Sequence, residues 1–143
     1  MNYALMARAW FQISIAGPAW RVHGGEEMTT LLLDRDLIAE IKRVGHATGR
    51  HDLHGGFVRK LEETLADFPA AFSRHLAQGD TAAAVRSAHT LKGSCRQIGA
   101  HALGDLFADI ERSAKAGDYA AAKRMFENAD DLIAQSIDAL KQA

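Results

Sequence analysis

The chain has one cysteine, Cys95, in 143 residues. An internal disulfide is therefore impossible, and a reducing compartment, the cytoplasm, is the expected setting. Prolines number two and aromatics make up 7% of the residues. With many alanines beside them, that balance favours closely packed helices. No β-pattern of useful length interrupts the chain. Charge of one sign is also missing: 17 basic residues face 18 acidic ones. A broad basic surface for nucleic acid is excluded on that ground. No apolar run reaches the ~20 residues that a membrane span needs. Ala4 to Trp20 comes nearest, but Arg8 interrupts it and Gly17-Pro18 breaks it. It also lacks basic residues ahead of Arg8, where a secretory signal would carry them. A Gly-x-x-x-x-Gly-Lys phosphate loop is absent, as is a carboxylate cluster suited to magnesium.

Just under half the residues are apolar, enough for a real core in a single domain. Residues 1–27 fit the rest poorly and read as an N-terminal extension that ends in a flexible stretch, His23-Gly24-Gly25. Met28 is then a candidate start for a domain covering residues 28–143. From Leu33 onward the period is helical. Leu37, Ile41 and Val44 mark one face, with Gly45 as its expected stop. Phe57, Leu61, Leu65, Phe68, Phe72 and Leu76 form a long stripe. Pro69 inside it predicts a kink or short break near Asp67-Phe68. Gly79-Asp80 and Gly117-Asp118 each read as a helix end followed by an N-cap. They frame a helix over about Thr81 to Ile98 and another over about His101 to Ala116. The latter turns Leu103, Leu106, Phe107, Ile110 and Ala114 inward. A single last helix is expected along Tyr119, Ala122, Phe126, Ala129, Ile133, Ser136 and Leu140. Short connections between such helices imply an all-α, antiparallel up-down bundle.

One helix carries the chemistry. Ala84, Ala88, Leu91, Cys95 and Ile98 make its buried seam. With Ala84 at zero and about 100° per residue, Val85, Lys92, Arg96 and His89 fall between roughly 80° and 140°. Gly93 falls near 180° by the same geometry, on the solvent side. His89 is thus off the seam and reachable. Neutral imidazole is a nucleophile near physiological pH. Lys92, at i+3, shares its surface and can meet phosphate oxygens. Gly93 removes bulk where a partner must come close. Position on the wheel alone favours a solvated surface histidine with solvated cations around it.

The run Ala88-His89-Thr90-Leu91-Lys92-Gly93-Ser94, followed by Ile98-Gly99-Ala100, resembles the histidine-containing phosphotransfer (HPt) domains of two-component phosphorelays. The likeness continues through Leu103, Leu106 and Ile110-Glu111 to Ala116-Gly117-Asp118, and covers Leu33 to Ala143. It implies a four-helix bundle with one or more accessory N-terminal helices. His89 would be the phosphorylated residue, through the ring nitrogen distal to the backbone, and Lys92 would hold phosphoryl oxygens. Gly93 would leave room for a partner. That partner would be a receiver domain of a response regulator or of a hybrid histidine kinase. The resemblance implies no cofactor in this chain, with magnesium expected in the receiver's pocket. Val85 and Ala82 are candidate apolar docking residues. Arg96 is larger and more charged than many members carry at its position, and would add phosphate or receiver contact. A glutamine on the following helix supports the phosphohistidine in some members, and no counterpart is evident here. A monomer is the expected state. Attack needs the neutral ring, so acceptance is expected to weaken toward acid pH.

Other readings stand beside this one. An HPt-like binding or inhibitory module would keep the shape without carrying phosphate. His46, His51 and His54 could suggest metal ligation, but nothing completes a ligand set, and solvated histidines are the expectation. His75 and His101 read as structural. Cys95 reads as core.

Overall fold

The computed structural model describes residues 32–143, so the readings placed on residues 1–27 lie outside it. Six α-helices follow one another with no strand among the described residues: α1 (Arg35–Ala47), α2 (Leu53–Ala77), α3 (Thr81–Gln97), α4 (His101–Lys115), α5 (Tyr119–Glu127) and α6 (Asp130–Gln142). The all-helical expectation is met. Three helices start on an aspartate whose side chain accepts the amide three residues on. Asp34 takes Leu37, Asp80 takes Ala83 and Asp118 takes Ala121, at 3.0–3.1 Å. Each satisfies one of the amides that a helix start leaves open.

The core forms where these helices meet. The most extensive packing joins α3 to α4, with α2 against α3 and α4 against α5, and α6 rests on both α2 and α4. Phe107, Leu91, Leu103, Leu106, Ile110 and Leu140 are sealed from solvent. Phe68 meets Phe107 edge-on at a centroid distance of 5.3 Å, a favoured aromatic geometry. Phe126 closes on Phe68 at 5.0 Å.

Several details depart from the sequence reading. The buried face of α1 uses Ile38 and Gly45 and leaves Val44 exposed. α2 runs unbroken through Pro69. Proline there removes one amide donor on an exposed face, while Phe68 and Phe72 on the buried face hold the helix down. The buried stripe of α2 uses Val58 and leaves Phe57 exposed. α1 continues past Gly45 to Ala47. Gly45 is needed for closeness instead: a Cβ there would sit 2.6 Å from the Arg50 carbonyl oxygen. The expected last helix is two, α5 and α6, parted at Asn128-Ala129.

The corner Ile98-Gly99-Ala100 fastens the N-terminal helices to the rest. Gly99 has φ +88°, and a Cβ on it would press within 2.7 Å of Ile38 Cγ1. Its carbonyl accepts the Asp34 amide at 2.8 Å, just ahead of α1. The neighbouring Ile98 carbonyl accepts a hydrogen bond from His54 Nε2 at 3.2 Å. A carbonyl only accepts, so Nε2 carries the proton. His54 is therefore a buried tie between α2 and this corner, not the solvated residue the sequence suggested. Burial pushes its pKa down; the Ile98 hydrogen bond and Asp52 oppose that, and Lys42 adds to it. A lowered folded value means that the unfolded chain takes up the proton first, below its ordinary 6.5. Stability should then fall as pH drops below that point. Urea midpoints between pH 5 and 7 check this, with a shallower slope expected for His54→Leu.

Candidate functional site

α3 is oriented by its seam. Ala84, Ala88, Leu91 and Cys95 are buried against the core, which turns the opposite flank outward. The His89 side chain is 64% exposed on that flank. Gly93 lies beside it, and a Cβ there would meet no atom within 4 Å. The surface around the imidazole is therefore open on that side.

α4 supplies the group that the sequence reading missed. Leu103, Leu106, Phe107, Ile110 and Ala114 bury as expected, and that packing carries Glu111 into the α3–α4 seam. The Glu111 side chain is 4% exposed, yet charged. Three donors converge on it. His89 Nδ1 lies 2.8 Å from Oε1, Lys92 Nζ 2.6 Å from Oε2, and Lys115 Nζ 3.1 Å from Oε1. Burial works against ionisation, but the hydrogen bonds from Lys92, His89 and Lys115 outweigh it and hold the carboxyl at about 2.

This carboxylate fixes the neutral imidazole. An ionised carboxylate can only accept, so the Nδ1 it faces must carry the hydrogen. The lone pair of the neutral ring then belongs to Nε2. Nδ1 is turned to the protein and the exposed ring offers Nε2 to solvent. The arrangement has the logic of a base held in one tautomer by a buried acid. Chemically, it presents a nucleophilic nitrogen, a carboxylate able to balance positive charge arising on the ring, and the Lys92 ammonium on the same helix for negative charge beside it.

The other expected site residues divide. Lys92 is largely covered, and its charge is matched by Glu111. Arg96 is turned to α4: its Nη2 is 3.7 Å from Asp105 Oδ1, and His101 Nε2 approaches the other oxygen at 3.6 Å. Its aliphatic part runs over Gly104, where a Cβ would come within 2.7 Å of Arg96 Cγ. Val85 is half-buried against the core, while Ala82 is exposed. Cys95 is sealed in, and burial pushes its thiol up to about 12. Elsewhere His46 and His51 share a 2.9 Å Nδ1–Nδ1 contact on the surface. Among the described residues no group of three or more histidine, cysteine, aspartate or glutamate side chains is arranged to hold a metal. No described helix is long and apolar enough to cross a membrane.

Glu111 did leave a signal in the sequence. It stands four residues after Phe107, on the inward side of α4, where an unpaired carboxylate would be costly. Lys115, one turn further on, is the neighbour that such an acid would need.

Compared with known proteins, the chain matches the family profile described as Hpt domain over residues 52–143. That span runs from just before α2 to the end of α6 and contains His89, Lys92, Glu111 and Lys115. Neither the curated proteins nor the solved structures gave a match.

Proposed function

The chain belongs to the Hpt domain family, and from that premise we propose that it is a phosphorelay intermediate whose acceptor is His89. The family indicates a phosphotransfer role with receiver domains. What supports the finer reading is one observation: an exposed imidazole whose Nδ1 is engaged by a buried, ionised Glu111 at 2.8 Å. A merely solvated histidine needs no such partner.

The step follows from that arrangement. Nε2 attacks the phosphorus of a receiver's aspartyl phosphate in line. The N–P bond forms as the P–O bond to the aspartate breaks, and the aspartate departs as a carboxylate. Nδ1 keeps its proton throughout, so the ring becomes formally cationic. Glu111, already ionised, balances that charge without any proton moving. Return of the group to another receiver aspartate is the same path reversed. Phosphoryl transfer depends mainly on positioning and charge stabilisation, and these are what the site supplies. Magnesium and the donor carboxylate come with the receiver. The new phosphoryl group carries about −1.5 to −2 charge, which Lys92 is placed to offset from i+3.

In this reading α2, α3 and α4, with α5 and α6 as one interrupted limb, make an up-down four-helix bundle, and α1 is accessory. Receivers dock over the exposed flank of α3 around Ala82, Val85 and Gly93. Arg96, paired with Asp105, contributes at the edge of that surface instead of touching phosphate. The carrier acts as a cytoplasmic monomer.

The test is transfer from phosphorylated receivers. The full chain is incubated with each receiver domain of its source organism, and acid-labile phosphate is located by mass spectrometry. Label on His89 is the expected result; label elsewhere, or none from any receiver, rejects the reading. Lys92→Ala should slow transfer about ten-fold without abolishing it, the scale of one lost charge-assisted hydrogen bond. A rate unchanged by that substitution would remove Lys92 from the site.

A further inference from the structure

Glu111 is held by two ammonium groups where one would neutralise it. Lys92 Nζ meets Oε2 at 2.6 Å, and Lys115 Nζ meets Oε1 at 3.1 Å. The two lysines differ in place. Lys92 is largely covered and stands on the same helix as His89. Lys115 is 63% exposed, on α4, one turn beyond Glu111 itself. Lys115 shares its oxygen with His89 Nδ1. It therefore sits on the side of the ring away from Nε2, where a phosphoryl group would be attached.

The proposed reaction sets up a competition. New negative charge on Nε2 draws Lys92, which is already committed to Glu111. A buried carboxylate that loses its cation is strongly destabilised. The cationic ring that balances Glu111 exists only once the N–P bond has formed. While the phosphoryl group is still arriving the ring is neutral, and with a single lysine the incoming group and Glu111 would compete for it. With two lysines both are served. We propose that Lys115 is a positioning residue: it keeps Glu111 charge-balanced so that Lys92 can turn from Glu111 to the phosphoryl group on His89. This rests on the reading of His89 as phosphoacceptor. Lys115 makes and breaks no bond; its influence passes entirely through Glu111.

That last point separates the idea from an ordinary surface ion pair. If Lys115 acts through the charge of Glu111, its importance should vanish once position 111 is neutral. The experiment uses the full chain and phosphoramidate, a small donor whose P–N bond breaks with release of ammonia. Rates of label appearing at His89 are followed by phosphorus NMR. Lys115→Gln should slow labelling about three- to ten-fold, the range expected for one charge-assisted contact. Lys115→Arg should restore it. In a Glu111→Gln background, Lys115→Gln should change the rate less than about two-fold, because an amide needs no counter-cation. Melting curves establish that each variant is folded. An equal loss in both backgrounds would overturn the inference, since Lys115 would then act without Glu111. So would a Lys115→Gln rate equal to that of the unsubstituted chain. Failure of the unsubstituted chain to take phosphate at His89 from either phosphoramidate or receivers would overturn the phosphocarrier reading, and this inference with it.

Discussion

The substitution His89→Gln is expected to abolish phosphoryl acceptance while leaving the protein folded. Both halves follow from where the side chain lies. The amide of glutamine has no nucleophilic lone pair on nitrogen, so no N–P bond can form. Nearly two thirds of the His89 side chain is exposed, so its removal costs little packing. A glutamine amide can also donate to Glu111 in place of Nδ1–H, which keeps the buried carboxylate satisfied. Helicity should be unchanged and the melting temperature within a few degrees of the parent, roughly the effect of less than 1 kcal/mol in a domain this size. A phosphorylated receiver that labels the parent, but yields no acid-labile phosphate on the variant, is the expected observation. Full labelling of the variant would dismiss His89.

Glu111→Ala is expected to have the next largest effect, on rate and on stability together. Removing the carboxylate frees the imidazole to hold its proton on either nitrogen and takes away the charge that balances the phosphorylated ring. A loss of roughly 10²-fold in acceptance is expected, the lower end of what positioned acid–base groups contribute. Two ammonium groups are also left facing each other across the α3–α4 seam. The stability consequence has a defined pH window. Glu111 stays ionised down to about 2 in the fold, against an ordinary 4.5. A lowered folded value stabilises the protein fully above the unfolded value, and that stabilisation is lost as pH falls from about 4.5 toward 2. The difference corresponds to something on the order of 3 kcal/mol. Urea midpoints measured from pH 6 down to pH 3 should fall more steeply for the parent than for Glu111→Ala. Parallel curves would mean that Glu111 gains nothing from its three partners.

Most of the scaffold was legible because its signals are local. Asp80 and Asp118 follow glycines and cap the helices they were expected to cap. The α3 seam repeats at three and four, so the outward turn of His89 followed from the buried Ala88 and Leu91 beside it. What escaped the sequence depends on contacts between distant segments. Gly45 looks like a stop until Arg50 folds back against it. His54 looks solvated until the Ile98 carbonyl, 44 residues away, meets its ring. Pro69 looks like a break because its intrinsic cost is real, but the aromatic packing beneath it prevails. The division between α5 and α6 was hidden by an apolar period that runs on through Asn128-Ala129. Within the site, the exposed His89 and one cation were visible on α3. The acid was not, because charge at an inward position argues against itself until its partners are known. Lys92 and His89 lie 19 and 22 residues before Glu111, on another helix, and no short motif records their meeting.

Cys95 lies on α3 one turn past Leu91, close in sequence to the reacting centre, yet sealed in the core with its thiol pushed up to about 12. Thiolate is the form that oxidants and alkylating agents attack. In the closed fold the Cys95 thiol is thereby shielded from peroxide and glutathione. Its oxidation or alkylation is expected to wait on a local opening of the bundle, so labelling of this one thiol would report how often α3 comes away from the core.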